Sequence, residues 1–200
     1  MAIKILTSVY EPFILPGGGV VELDLGCGKG RFAAEIAARR PDRLVLAADV
    51  MLGRLRKAAG KAERGGLDNM DFLRVEAWML VARMLPPESL SRVHILCPDP
   101  WPKKKHKGNR LMSSEFISRL AVALRPDGVF HFASDDKIYM DSTKRLVDGS
   151  GLFSAPDASL IEDVADIKTE FELLWEREGR TVEHRAWKKD AQVIPANDNM

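Results

Sequence analysis

Short apolar runs alternate along the chain with segments whose apolar residues recur at helical spacing. The run Val20–Leu25 predicts a buried strand, and the segment 31–40 after it predicts an amphipathic helix. The same reading predicts strands over 44–50, 70–75, 93–97 and 129–134, and helices over 55–63, 78–85 and 113–124. This alternation is typical of an α/β fold with a mainly parallel sheet covered by helices on both faces.

The carboxyl-terminal quarter of the chain is less regular. Residues 167–178 predict a helix, and the alternation over 181–187 predicts an edge strand. We interpret 1–18 as a short N-terminal segment and 189–200 as a disordered tail, because the tail has little apolar surface to bury. Since the chain contains no repeat and no linker, residues 1–200 are predicted to form a single domain.

Composition and charge exclude several classes of protein. An apolar content of 46% over 200 residues suits one core, while a net charge of +1 means that nucleic-acid binding must come from local basic clusters. Cys27 and Cys97 lack metal-ligand spacing, so we expect no metal site, no disulfide and a reducing compartment. Without a signal peptide or an apolar run of ~20 residues, a cytoplasmic protein with no membrane contact is predicted.

The candidate site lies after the strands, because ligands of open parallel sheets bind beyond the carboxyl ends of the strands. Gly26, Gly28 and Gly30 follow the first predicted strand, where they let the backbone turn sharply and approach a ligand. The third small position of a dinucleotide fingerprint would fall on Arg31, so this G-x-G-x-G turn disfavours a nicotinamide dehydrogenase. An ordinary strand-to-helix connection is the alternative.

Acidic residues stand at the ends of three successive predicted strands. Asp24 precedes the glycine turn, which fits a ligand with an amino group such as S-adenosylmethionine better than a pyrophosphate. Asp49 is placed to accept from both ribose hydroxyls, and Glu76 to accept from the adenine amino group. A single acid at a strand end is usually a solvated loop residue. Three of them at successive strand ends, together with this glycine turn, predict a nucleoside site.

The most specific signal follows the fourth predicted strand. It is the run P-D-P-W-P-K-K-K-H over residues 98–106, which is followed by Asp135 and by the T-x-F-E element at Thr169, Phe171 and Glu172. Together with D-L-G-C-G-K-G, these motifs resemble the bacterial tRNA (guanine-N7)-methyltransferase family over roughly residues 20–187. The resemblance implies a class I methyltransferase (Rossmann-like) fold with a seven-stranded sheet, S-adenosylmethionine as methyl donor, and the variable-loop guanine of tRNA as substrate. We expect a monomer, with a homodimer as the alternative.

The same resemblance implies roles for individual residues. Asp99 borders the cofactor, and Lys103, Asp135, Thr169 and Glu172 meet the substrate. Phe171, which belongs to the T-x-F-E element, is assigned to the substrate side with them. For His106, in the basic loop, we predict substrate binding through a phosphate, with positioning of the loop or simple exposure as alternatives.

The chemistry of the target is consistent with these assignments. Guanine N7 has a free lone pair, so it can attack a methyl group without a general base. The enzyme must align the reactants and accommodate the cationic 7-methylguanine, and preorganised carboxylates suit that task. Asp99 is therefore the candidate catalytic residue. With Asp135 it can also accept from guanine N1–H and the exocyclic amine.

Each of these signals has a structural alternative. Asp99 between two prolines could simply shape a turn. Trp101 could be a core residue rather than a platform for a base, and Thr169 with Glu172 could form a helix capping box. The charged run 103–110 could be a solvated loop, although its position after a strand favours contact with phosphates.

The chain also departs from the family pattern at several positions. Gly108 and Asn109 stand where family members usually carry a lysine–arginine pair, which predicts weaker binding of tRNA. Asp24 and Glu76 stand where members often have Glu and Asp, respectively. Two alternatives therefore remain: methylation of another RNA or of a small guanine-containing substrate, and a non-catalytic RNA-binding protein that has kept the cofactor pocket.

Overall fold

A computed structural model describes residues 2–6, 13, 15, 19–101 and 110–191, and its strands form one sheet. The strands are β1 Ile3–Ile5, β2 Val20–Leu25, β3 Arg43–Asp49, β4 Met70–Arg74, β5 Leu90–Leu96, β6 Leu124–Ser134 and β7 Glu183–Lys188. Across the seven described strands the order is β1-β4-β3-β2-β5-β6-β7, and β7 alone among them runs antiparallel to its neighbour. The predicted mainly parallel seven-stranded sheet is confirmed.

Helices connect most of these strands. They are α1 Arg31–Arg39, α2 Leu52–Arg64, α3 Ala77–Met79, α4 Ser114–Ala123, α5 Lys137–Ser150 and α6 Glu170–Arg177, with a π-helical turn Leu80–Met84 and a 3₁₀ helix Ala158–Val164. The helix predicted over 78–85 is α-helical only in its first turn, because Leu85 N then bonds to Leu80 O, five residues back. Nowhere in the described ranges does a helix combine the length and apolar character that crossing a bilayer requires.

Each face of the sheet has its own apolar core. Phe32 of α1 and Leu55 of α2 pack on one face, and Phe116 of α4 and Tyr139 of α5 pack on the other. Both cores draw on alternate residues of the central strands, whose side chains point to opposite faces. The expectation of helices covering both faces is thus confirmed.

The two ends of the chain depart from the predictions. Residues Ile3–Ile5 of the predicted N-terminal segment form β1, which pairs in parallel with β4. Lys189, expected to begin a disordered tail, is buried, and its Nζ donates to the Leu124 carbonyl at 2.7 Å. Asp190 N donates to the Leu152 carbonyl, so the packed part of the chain extends past residue 189.

Candidate active site

The carboxyl ends of β2, β3, β4 and β5 open into a cavity of about 690 Å³. A second cavity of about 290 Å³ adjoins it and shares Gly26, Arg54, Leu96 and Phe171 with the first. Predicted site residues on these walls are Asp24, Gly26, Gly28, Asp49, Glu76, Asp99, Thr169 and Phe171. The structure therefore brings the predicted cofactor acids and part of the predicted substrate site to one place.

The glycine turn has the conformation that glycine permits. Gly26, Gly28 and Gly30 have φ values of 85°, 57° and 71°, in the region that residues with a side chain rarely adopt. Gly30 does not line the cavities but lies against α2, where an added Cβ would be 2.5 Å from the Cβ of Ala58. Its role is close packing of α1 and α2, which fixes the turn beside the cavity.

Asp24 is a buried acid with an unsatisfied oxygen. Its side chain lines the smaller cavity, and within the described residues its Oδ2 has no hydrogen-bond partner. Burial, together with the charges of Glu170 and Asp49, raises the pKa of Asp24 to about 7. A cationic amino group in the cavity would bond to the free oxygen and stabilise the carboxylate form, so the site fits a ligand of the predicted chemistry.

Asp49 holds the glycine turn from the end of β3. Its Oδ2 accepts from Gly28 N at 3.0 Å, and its Oδ1 accepts from Met51 N at 2.7 Å. Arg54 Nη1 lies 3.9 Å from Oδ2, also on the cavity wall. Each carboxylate oxygen keeps a further lone pair. Asp49 can therefore shape the turn and still accept from a ligand hydroxyl, and its ribose role stays a prediction.

Glu76 caps α3 in addition to lining the larger cavity. Its two carboxylate oxygens accept from Trp78 N at 3.0 Å and Met79 N at 2.9 Å. This arrangement satisfies amide groups at the start of the helix. The predicted contact of Glu76 with adenine stays a prediction, and it would use the remaining lone pairs.

The loop after β5 brings Asp99 and Trp101 to the wall of the larger cavity. Trp101 N donates to Asp99 Oδ1 at 3.3 Å, so the suggested turn around Asp99 is present. Trp101 has a φ of 43° and lines the cavity, which favours a platform for a ligand over a core position. Arg110 donates to the Pro100 carbonyl at 2.7 Å and lies over the Tyr139 ring. Lys103 and His106 lie outside the described residues.

Asp135 and Glu172 are not brought to the cavity walls. Asp135, after β6, forms an ion pair with Arg180, whose guanidinium also lies 4.7 Å from the centre of the Trp175 ring. Glu172 is buried in α6, and its pKa is lowered because hydrogen bonds from His184 and Thr169 N outweigh the opposing effect of burial. The capping box with Thr169 is confirmed. Their predicted contacts with substrate stay predictions.

Several residues at the site were not anticipated. Arg54 and Trp78 line the larger cavity, and His184 bonds to Glu172 at 2.9 Å. The position of Arg54, one turn after the end of β3, was a signal that could have placed it beside Asp49. His184 gave no such signal, because its partner comes from a separate helix.

Comparison with known proteins gives two kinds of similarity. Residues 19–184 match the family described as "Putative methyltransferase". The chain is 33% identical over 171 residues to a tRNA (guanine-N(7)-)-methyltransferase of Thermus thermophilus, covering 86% of this chain and 54% of that protein. It is 40% identical over 113 residues to a tRNA (guanine-N(7)-)-methyltransferase of Syntrophotalea carbinolica, covering 56% of this chain and 49% of that protein. The chain spans about half the length of the curated relatives it matches.

Solved structures give the fold. The 16S rRNA methyltransferase KamB superposes with a TM-score of 0.62 at 22% identity, covering 86% of this chain and 88% of that one. The 16S rRNA (adenine(1408)-N(1))-methyltransferase of Catenulisporales acidiphilia gives a TM-score of 0.57 at 17% identity, with 88% of each chain covered. The fold is thus the class I methyltransferase fold that the resemblance implied.

Proposed function

Because the chain belongs to the methyltransferase family that its residues 19–184 match, we propose that it transfers a methyl group from S-adenosylmethionine to N7 of a guanine in tRNA. The motifs around Asp99 and Thr169 resemble those of enzymes that act on the variable loop, so we take the variable-loop guanine as the target. The observation that carries this proposal is the buried Asp24 Oδ2, which lacks a described partner beside the glycine turn at the open end of the sheet. The choice of tRNA as substrate rests on the names of the similar proteins.

The cofactor would occupy both cavities. Asp24 would accept from its amino group, Asp49 from the ribose hydroxyls, and Glu76 from the adenine amine. Trp78 and Val75 on the same wall provide apolar surface for the adenine ring. S-adenosylmethionine, when bound, supplies a methyl group on a positively charged sulfur.

The residues after β5 would receive the guanine. The N7 lone pair forms the new bond to carbon as the carbon–sulfur bond breaks, and that bonding pair stays on sulfur. N7 carries no proton, so no side chain has to remove one. Asp99, which is exposed on the cavity wall, offers negative charge where positive charge develops on the base. Trp101 offers a ring face against which a base can stack.

The direct test uses labelled S-adenosylmethionine and an unmodified tRNA transcript, followed by digestion to nucleosides. The proposal predicts 7-methylguanosine as the labelled product, with the label lost when the variable-loop guanine is replaced by adenine. Label in a different nucleoside, or label only with ribosomal RNA or free guanosine, would reject the tRNA assignment. An absence of label, with cofactor binding retained, would indicate a protein that binds without catalysing.

A further inference from the structure

Helix α6 forms a wall of the smaller cavity, yet it is poorly anchored by apolar contacts. Thr169, Glu170, Phe171 and Leu174 line that cavity, and the large side chains of Phe171 and Leu174 are 43% and 48% exposed. Among the described residues of α6, the buried one is Glu172, a carboxylate. The position of this wall therefore depends on polar contacts.

Glu172 connects α6 to the sheet through β7. Its Oε2 accepts from Thr169 N within the capping box at 2.7 Å, and its Oε1 lies 2.9 Å from His184 Nε2. Other polar contacts of this region lie nearer the surface, among them Lys61 with Glu170 and Arg31 Nε with the Lys168 carbonyl. Exposed ion pairs contribute little to stability, whereas a buried carboxylate that loses its partner is costly.

His184 is the outermost imidazole of a largely buried chain of side chains that crosses four strands, β2, β5, β6 and β7. Its Nδ1 lies 3.0 Å from His131 Nε2, and His131 Nδ1 lies 2.9 Å from His94 Nδ1. His94 Nε2 then lies 3.2 Å from Glu22 Oε2. We call the series Glu22–His94–His131–His184–Glu172 the histidine chain. Its ring nitrogens face one another in pairs, and no metal-binding group of three ligands occurs in the described parts of the protein.

Counting protons shows that the histidine chain is unusual. Its four contacts each need one proton, and three neutral imidazoles carry three. Both carboxylates are ionised: hydrogen bonds and the neighbouring positive groups bring the pKa of Glu22 to about 2 despite its burial, and the pKa of Glu172 is also lowered. Without a fourth proton, two bare ring nitrogens would face each other at about 3 Å.

The surroundings favour the outer end of the histidine chain for this proton. At the inner end, Arg43 pairs with Glu22, and Arg92 bonds to Asp163 on the 3₁₀ helix, so cations already neutralise the acids there. Burial lowers the pKa of His94, despite its bond to Glu22.

The middle of the chain is equally unfavourable for a positive charge. Burial, and then the neighbouring His94 and His184, lower the pKa of His131 well below its usual value. At the outer end, the charged or titratable neighbours are Glu172 on α6, the Cys97 thiol after β5, and Arg180 beyond α6. His184 there faces the Glu172 carboxylate and, at 26% exposed, is the least buried of the three imidazoles.

We infer that the histidine chain holds one proton more than three neutral imidazoles, and that His184, donating to Glu172, is the positioning residue that fixes α6 over the cofactor cavity. The role in cofactor binding rests on the proposed function. The proton count and the anchoring of α6 do not.

The proton count is tested in the free protein by long-range ¹H–¹⁵N spectra of histidine-labelled material near neutral pH. His106 is replaced by glutamine so that its signals are removed. The inference predicts one imidazole with both nitrogens protonated and two neutral imidazoles. Three neutral imidazoles would overturn it.

Anchoring of α6 is tested by amide hydrogen exchange across residues 170–177. His184→Phe keeps an aromatic ring but removes the donor, so exchange of these amides should accelerate by about tenfold or more, the scale of a lost hydrogen bond to a charged group. His184→Gln, whose amide can donate to Glu172, should recover most of the protection. Unchanged exchange in His184→Phe would contradict the positioning role.

The coupling between the proton and the cavity is tested with His131→Phe, which divides the histidine chain into two pairs. Each remaining imidazole can then donate to its own carboxylate while neutral, so no additional proton is needed. As pH rises and the intact chain loses its fourth proton, affinity for S-adenosylmethionine should fall by about tenfold, and this fall should be absent in His131→Phe. Asp24 and the cofactor titrate equally in both proteins, so the difference isolates the histidine chain.

The outcomes separate the two proposals. A protein that binds no S-adenosylmethionine but shows the imidazolium and the exchange effect would reject the function and retain the inference. Equal pH dependence in the parent and in His131→Phe, with binding intact, would reject the coupling.

Discussion

The acids assigned to the cofactor and the acids assigned to the substrate differ in how they are satisfied within the protein. On the cofactor side, Asp24 is buried with an oxygen that lacks a described partner, and it faces the smaller cavity. On the substrate side, Asp135 is paired with Arg180 and Glu172 with His184, while Asp99 is exposed and engaged in a turn. Asp24 thus keeps an oxygen for a cationic ligand, whereas two of the three acids assigned to the substrate already have a partner within the protein. Under the proposed function, the negative charge that stabilises the methylated base would come mainly from Asp99.

The largest effect is expected at Asp99. Asn at this position can still accept from Trp101 N, so Asp99→Asn keeps the turn and removes the charge. Single-turnover methylation of tRNA at saturating cofactor should slow by about 10²–10³-fold, the scale for loss of one electrostatic contact in a transition state. Cofactor affinity, measured by calorimetry, should change little. The parent rate in Asp99→Asn, together with a slow Asp99→Ala, would show that Asp99 only shapes the turn.

The next largest effect is expected at Asp24, on the cofactor side of the comparison. Burial raises the pKa of Asp24 in the folded protein from its ordinary value of 3.8 to about 7. The folded state without cofactor therefore loses stability as the pH rises from about 4 to 7, because Asp24 ionises more readily in the unfolded chain. Asp24→Asn should therefore raise the free energy of unfolding at mildly alkaline pH by roughly 2–4 kcal/mol, and by little below about pH 4. Chemical denaturation of both proteins at the two pH values measures this difference.

The same variant should weaken cofactor binding. A bound amino group favours the ionised carboxylate, so S-adenosylmethionine should displace a proton from Asp24 at about pH 6.5. Calorimetry in buffers of different ionisation enthalpy should detect this release in the parent protein and not in Asp24→Asn. No proton release in the parent would remove Asp24 from the amino-group site.

A smaller effect is expected at Asp49, which shares its oxygens with the backbone. Asp49→Ala should weaken S-adenosylmethionine binding by about 1.5–3 kcal/mol, the scale for hydrogen bonds to a charged group. Part of this loss reflects the turn, since Gly28 N and Met51 N lose their acceptor. Asp49→Asn retains one acceptor and serves as the control. Full affinity in both variants would exclude the ribose role.

The smallest effect concerns the basic run over residues 103–110, of which 103–109 lie outside the described residues. Arg110 donates to the Pro100 carbonyl, an uncharged acceptor, so it keeps its positive charge and adds it to that of the lysines of 103–107. Gly108→Lys with Asn109→Arg should tighten tRNA binding and steepen its salt dependence by about one unit of log–log slope for each additional phosphate that the new side chains neutralise. Lys104→Ala should act in the opposite direction. Titrations at several salt concentrations that show no change would remove this loop from the RNA interface.

The sequence predicted the elements whose apolar pattern is strong. β2 was predicted with its observed limits, because four of the six residues of Val20–Leu25 are apolar and glycines bound the segment. α5 was not predicted, although its buried residues Tyr139, Met140, Thr143 and Val147 recur at helical spacing; one of these four is the polar Thr143, so the apolar pattern is weak. β1 is only three residues long, and a run that short carries no period.

The candidate site likewise has one part that the sequence could predict and one part that depends on tertiary structure. Acids at successive strand ends could be predicted, because parallel strands bring their carboxyl ends together. The histidine chain could not, because it depends on the register of β5, β6 and β7 and on the position of α6. No spacing in the sequence connects His94 to His184. Likewise, the pairing of Asp135 with Arg180 depends on the turn after α6.

The central claim, attack by guanine N7 on the methyl group, is tested most directly by changing that one atom. A tRNA in which the variable-loop guanosine is replaced by 7-deazaguanosine keeps the Watson–Crick edge and presents C–H in place of N7. With labelled S-adenosylmethionine, the account predicts stoichiometric single-turnover methylation of the parent tRNA and none of the substituted tRNA, which should still bind with similar affinity. Equal methylation of both RNAs would contradict it.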